Sequence, residues 1–265
     1  MTVIMGVVNV TPDSFSDGGR WFEPDAAIAR GALLHEQGAE LIDVGGESTR
    51  PGAQRVDPAE ELRRVLPVVE GLADLGVPVS IDTMNASTAR AALRAGAAIV
   101  NDVSGGLADP GMADVVAHSG AGYIVMHWRG GADASTAYMD VVTEVRDALK
   151  ARIAELIVHG LRPEQIIVDP GLGFAKLPEH NWRLLGHLDQ FATLGGGVLV
   201  AASRKRFVGR LLPDDAPAEA RDEPTAVISA LAARSGAWGV RVHDVPSTRR
   251  ALDVVEHWAA GARDE

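Results

Sequence analysis

One local pattern recurs along the chain and limits the folds open to it. QGAELIDVGGES (37–48), LGVPVSIDTM (75–84), AGAAIVNDVSGG (95–106), SGAGYIVMHW (119–128), GGGVLVAASRK (195–205) and SGAWGVRVHD (235–244) each pass from glycine into an apolar run and then turn polar. HGLRPEQIIVDPGLG (159–173) varies the theme, and the opening VIMGVVNV enters such a run directly. Glycine after a helical stretch takes the left-handed conformation without a Cβ clash. The runs are rich in valine and isoleucine and do not alternate with polar residues, as expected of parallel strands covered on both faces. Strands are expected near 3–8, 41–44, 78–81, 98–100, 123–126, 166–168, 198–202 and 237–242.

Amphipathic patterns fill the intervals. Residues 24–37 place Ile28, Ala32 and His35 on one stripe, and 57–75 carry Leu62, Val65, Leu66, Val69 and Leu72 at helical spacing. Further helices are expected at 109–118, 140–159, 178–190, 222–235 and 247–260. Asp57-Pro58 and Pro246-Ser247 mark helix starts, with proline in the first turn. PDDAPAEARDEP (213–224) reads as a surface loop before a last pair of helices. Eight βα units in 265 residues predict an α/β fold, a single-domain (β/α)8 TIM barrel. A doubly wound open sheet is the alternative, but it usually has fewer strands, and no GxGxxG turn follows the first strand here.

Composition narrows the function. The formal charge is −11, from 36 acidic residues against 25 Lys and Arg, so nucleic acid and anionic membrane surfaces are not expected partners. An anionic small substrate would need a local basic site. The absence of cysteine excludes disulfides and thiolate metal sites and fits a reducing compartment. The N-terminus lacks a basic leader with a cleavage site, and no apolar run approaches the ~20 residues that span a bilayer. A cytoplasmic protein is expected.

In a barrel, catalytic groups stand where the strands end. The strand ends here supply Asn9, Asp43 with Glu47, Asp82, Asn101 with Asp102, His127, Asp169, Ser203 with Lys205, and Arg241 with His243. Structural alternatives stand beside each. Asp82 and Asn101 are equally suited to capping the next helix. Asp169-Pro170-Gly171 suits a turn, His127 a satisfied core histidine, and Arg204 to Arg206 a solvated basic face. As a set, Asp82, Asn101, Asp169 and Lys205 can hydrogen-bond the edge of a flat heterocycle. Arg241 and His243, two apart on one strand, face the same way and suit an oxyanion such as diphosphate. Asn9 offers a hard oxygen to Mg²⁺. HExxH, GxSxG and Walker A motifs are absent.

MGVVNVTPDSFSDGG (5–19), DVGGESTRPG (43–52), IDTM (81–84), NDVSGG (101–106), DPGLGF (169–174), ASRKRF (202–207) and RVHDV (241–245), in this order, resemble the motifs of the dihydropteroate synthases. That family joins 6-hydroxymethyl-7,8-dihydropterin diphosphate to p-aminobenzoate, and its members are usually homodimeric and Mg²⁺-dependent. The resemblance implies that Asp82, Asn101, Asp169 and Lys205 bind the pterin, with Met126 and Phe174 lining its faces. For both, plain core packing is the competing role. Arg241 and His243 would clamp the diphosphate and Asn9 would meet Mg²⁺. Mobile loops near 11–22 and 47–56, bearing Asp17 and Thr49, Arg50 and Pro51, would close over the aminobenzoate. Its carboxylate would sit at the helix after Lys205, where Arg206 replaces a serine found in some relatives. The rivals are a pterin-binding methyltransferase domain and a paralogue without turnover.

Overall fold

The computed structural model describes residues 1–11, 23–47, 56–130 and 136–262. Eight parallel strands close into a barrel in sequence order: β1 (Val3–Asn9), β2 (Leu41–Gly45), β3 (Val79–Asp82), β4 (Ile99–Asp102), β5 (Gly122–Met126), β6 (Ile166–Asp169), β7 (Gly197–Val200) and β8 (Gly239–Val242). Around them lie α1 (Pro24–Glu36), α2 (Pro58–Asp74), α3 (Ala86–Arg94), α4 (Met112–Ser119), α5 (Val141–Val158), α6 (Pro178–Leu185), α7 (Arg206–Gly209), α8 (Asp222–Arg234) and α9 (Val245–Gly261). Glycines that follow these helices, Gly38, Gly76, Gly96, Gly120, Gly160 and Gly236, all take positive φ, as the repeated pattern requires. None of the helices is long and apolar enough to cross a membrane.

Two apolar layers hold the barrel. Helices and strands share a continuous shell that includes Leu34, Ile42, Leu72, Ile81, Val100, Leu149 and Val240. Inside the barrel, Met5, Leu41, Ile124, Ile167 and Leu199 form a separate plug, with Val3, Ile99 and Trp238 against it. Strand side chains alternate between faces. Residues two positions beyond the plug therefore also face inward, and on β2, β4, β5 and β6 these are Asp43, Asn101, Met126 and Asp169. The apolar floor thus dictates a polar mouth.

Several local expectations shift. The buried stripe of α1 is Ala27, Gly31 and Leu34, one position off Ile28, Ala32 and His35, and His35 is exposed. Gly31 sets this register: a Cβ there would stand 2.8 Å from Leu72 Cδ2, so α1 and α2 meet at bare backbone. On α2, Val65, Val69 and Leu72 are buried as expected, whereas Leu62 and Leu66 lie at the edge and Glu61 and Val68 join the core. Asp57 caps α2 by accepting from the Ala59 amide at 2.9 Å. The helix expected at 178–190 stops at Leu185, and residues 188–190 form a separate 3-10 turn. The 213–224 segment is not all loop, because Ala218–Arg221 is a 3-10 turn and α8 begins at Asp222.

Candidate active site at the barrel mouth

Register builds the mouth. Asn9, Gly45, Asp82 and Asn101 are successive partners across β1 to β4. One row below, Val7, Asp43, Ser80 and Ile99 are likewise aligned. A Cβ at Gly45 would stand 3.4 Å from Asp82 Cβ and 3.7 Å from Asn9 Oδ1, so the glycine leaves bare backbone between two polar side chains. Met126 pairs with Asp169 across β5 and β6, and both are buried.

Arg241 crosses this mouth from β8. Its Nε donates to Asp43 Oδ2 at 2.6 Å and its Nη2 to Asp82 Oδ2 at 2.9 Å. Asn101 Nδ2 donates to the same Asp43 oxygen at 3.0 Å. Burial opposes the charge on Arg241, but Asp43 and Asp82 more than offset it and its pKa is raised. Burial pushes Asp82 up to about 7 against the pull of Arg241, with Asp43 and Glu61 adding like-charge repulsion. Neither Asp82 nor Asn101 serves as a helix cap: α3 takes Asn85 at that position, and Ala86 N–H donates to Asp109 at 2.8 Å.

On the opposite side stand Asp169 and Lys205. Asp169 Oδ1 accepts from the Gly171 amide at 2.7 Å, so the carboxylate also shapes its own turn. Burial raises its pKa, opposed first by Lys205. Burial also pulls Lys205 down to about 8, with Asp169 holding it up. The Lys205 ammonium donates to Leu172 O and lies 4.8 Å above the Phe174 ring. Phe174 is only partly buried. Carboxylates, an amide, an ammonium and a guanidinium therefore gather at one barrel mouth with Phe174 and Met126. Such a set can hold a flat, hydrogen-bonding ring by its edge and faces.

The remaining predicted residues separate. His243 and Arg241 share a strand face, but their hydrogen bonds diverge: His243 Nδ1 lies 2.9 Å from Ser203 Oγ, which also accepts from the His243 amide at 3.2 Å. The basic triplet splits three ways. Arg204, at φ 56°, binds Asp222 at 2.7 and 2.8 Å, Lys205 faces the mouth, and Arg206 is exposed. The helix after Lys205 is α7, only four residues long, so its dipole contributes little and Arg206 is the nearer source of positive charge. Asp102 turns to the outer face, where Ser104, Gly106 and Tyr123 donate to it, and it leaves the mouth. His127 is buried, and burial with nearby Lys176 pulls its pKa down to about 3, as suits a neutral core histidine. Asp17, Thr49, Arg50 and Pro51, with most of the two loops that carry them, lie outside the described residues.

Asp43 stands among the strand-end residues without a specific role in the sequence, and Lys176 and Glu61 are not singled out there. Asp43 is an acid inside an apolar strand, and that isolation was its signal. Lys176 is the lone cation in the DPGLGFAK stretch. Glu61 sits on the apolar face of α2, where Asn85 and Thr88 donate to it at 2.8 and 2.7 Å.

A family model described as "Pterin binding enzyme" matches residues 5–243. A dihydropteroate synthase of Mycobacterium leprae is 53% identical, covering 96% of this chain and 93% of the relative. The chain belongs to the dihydropteroate synthases. Solved structures of this family superpose closely. A Yersinia pestis dihydropteroate synthase with a sulfonamide drug has TM-score 0.93 and 38% identity over 98% of this chain and 94% of that one. A Xanthomonas albilineans dihydropteroate synthase in complex with 7,8-dihydropteroate has TM-score 0.87 and 40% identity over 100% and 95%. Membership of the dihydropteroate synthases sets aside the methyltransferase reading.

Proposed function

We propose that this chain joins 6-hydroxymethyl-7,8-dihydropterin diphosphate to p-aminobenzoate, releasing diphosphate and forming 7,8-dihydropteroate. The observation that carries the site assignment is the convergence of Asp82, Asn101, Asp169, Lys205 and Arg241 on one mouth from five strand ends. Asp82, Asn101 and Asp169 accept from or donate to the pterin edge, and Lys205 donates to a ring acceptor. Met126 and Phe174 cover the ring. Arg241 and His243 take the diphosphate, with Arg241 exchanging a carboxylate for the anion. As the C–O bond breaks, positive charge spreads into the ring, where Asp82 and Asp169 stabilise it. The aminobenzoate nitrogen then attacks the exocyclic carbon, and the exposed Arg206 takes its carboxylate in this reading. Asp17, Thr49, Arg50 and Pro51 belong, in this reading, to loops that close over the second substrate and exclude water.

Mg²⁺ is the proposed metal. Asn9 offers one neutral oxygen beside bare backbone, and no group of three or more His, Cys, Asp or Glu among the described residues is arranged to hold a metal. That donor set fits Mg²⁺ completed by substrate oxygens and water, with Asn9 as its protein ligand. When bound, it supplies charge neutralisation to the diphosphate.

We further propose a homodimer. Val227 and Leu231 on α8, and Val254 and Trp258 on α9, are spaced one helical turn apart and 57–70% exposed on adjacent helices. Apolar residues so grouped favour burial against a second copy. A monomer by sedimentation at micromolar concentration would contradict this. The cysteine-free composition is compatible with the cytoplasm as the place of action.

Incubation of the purified protein with both substrates and Mg²⁺ tests the reaction. Dihydropteroate should accumulate; no product would overturn the reading and favour a paralogue without turnover. Sulfonamides should inhibit competitively against p-aminobenzoate, since both present an aniline and an anionic or polar head. Inhibition that excess p-aminobenzoate does not relieve would contradict the second subsite.

A further inference from the structure

The loop between β6 and α6 contains a buried charge that the proposed reaction does not use. Lys176 is 8% exposed. Its Nζ donates to Gly171 O at 2.9 Å and to Phe174 O at 3.1 Å, and lies 3.0 Å from His127 Nδ1. An ammonium has three N–H groups, and here each meets an acceptor. The His127 Nδ1 contact requires the neutral ring with its proton on Nε2, which agrees with the suppressed basicity of that histidine.

The same loop is braced from outside by a neutral group. Asn181 on α6 accepts from the Gly173 amide at 2.7 Å and donates to Leu177 O at 2.8 Å. A neutral amide thus holds part of this turn. A charge in this position is costly to bury unless an opposite charge lies near. Asp169 supplies it: the aspartate takes the Gly171 N–H while Lys176 takes the Gly171 carbonyl, so the two grip one residue from both sides. A Cβ at Gly171 would meet His127 O at 2.4 Å and Lys176 Nζ at 3.1 Å, which shows how closely these groups enclose it.

We infer that Lys176 is a positioning residue, whose ammonium shapes the 170–176 loop and supplies positive charge beside Asp169 as Lys205 does from the other side. The inference rests on the proposed pterin-binding role of Asp169. The loop delivers Leu172 O to Lys205 and sets Phe174 under that ammonium, so the tie reaches two ligand groups besides Asp169. The charged and titratable groups around this couple are Lys205 after β7, Arg241 on β8, and His127 and Arg129 beyond β5. Lys176 and Lys205 both draw Asp169 toward its ionised form against burial. Burial in turn brings Lys176 down to about 7, with Asp169 holding it up.

The test compares Lys176→Met and Lys176→Gln with Asn181→Ala, each as the full chain. The carboxyl carbon resonance of Asp169, assigned with Asp169→Asn, is followed against pH, and binding of 6-hydroxymethylpterin is measured by calorimetry. Both Lys176 variants should raise the Asp169 midpoint by about one pH unit. Both should also weaken pterin binding at least ~10-fold at pH 6.5. Asn181→Ala should weaken binding without moving the midpoint. An unmoved midpoint in the Lys176 variants, or failure of both to fold, would overturn the inference in favour of a purely structural brace. Wild-type protein that binds no pterin would instead overturn the functional reading.

Discussion

Lys205→Ala is expected to weaken pterin binding at least ~100-fold, at the upper range for loss of a charge-assisted hydrogen bond in a desolvated site. Its ammonium combines three effects in one place. It donates to Leu172 O, balances Asp169 and lies over Phe174, and in the proposed reading it also donates to the ring. The fold should persist, because Lys205 sits beyond β7 and the apolar plug beneath does not include it. Circular dichroism with calorimetry of 6-hydroxymethylpterin binding checks both parts. An unfolded variant would make Lys205 structural, and a variant with unchanged affinity would remove it from the site. The wild-type pH profile follows from the same group. Burial holds Lys205 near 8, so pterin affinity should fall as pH rises through about 8 and the charge is lost. Asp82, held near 7 by burial, should impose the opposite limb, with affinity falling as pH drops through about 7.

Asp82→Asn is the second large effect, and it separates function from stability. Pterin binding should fall at least ~10-fold, since an amide cannot replace the carboxylate as a two-oxygen acceptor. Stability should move the other way. A carboxyl whose folded pKa lies above its unfolded value binds protons more tightly when folded, so stability declines as pH rises between about 4 and 7. Above 7 the cost is fully present, and the neutral amide removes it. Arg241 keeps Asp43 at 2.6 Å, so no guanidinium is left without a carboxylate. A gain of about 1–2 kcal/mol at pH 8, with little change near pH 4, is the expected order. Chemical denaturation at both pH values measures it. Loss of stability at pH 8 would mean that the Arg241 pair outweighs the burial of Asp82.

The strands were legible because parallel barrel strands are apolar on both faces and end at glycines and polar residues, signals that neighbours along the chain create. Asn9, Asp82, Asn101, Asp169 and Lys205 were legible for the same reason: strand ends converge once the barrel closes. What the sequence concealed was which face a residue takes and whom it meets. Asp102 follows Asn101 directly, yet strand alternation sends it outward to Tyr123 at 2.9 Å. Arg241 reads as an anion clamp, but its partners Asp43 and Asp82 stand 198 and 159 residues away along the chain. The α1 stripe slipped by one because helical spacing alone does not reveal that Leu72 needs the space at Gly31. Lys176 was passed over because a lone lysine in a loop ordinarily faces water, and only its three acceptors show otherwise.

A crystal structure with 6-hydroxymethyl-7,8-dihydropterin diphosphate bound is the most direct measurement of how this mouth works. The account predicts the ring edge against Asp82, Asn101, Asp169 and Lys205, Phe174 and Met126 on its faces, and Arg241 drawn from a carboxylate onto the diphosphate. A ring bound elsewhere, with Arg241 still spanning Asp43 and Asp82, would contradict it.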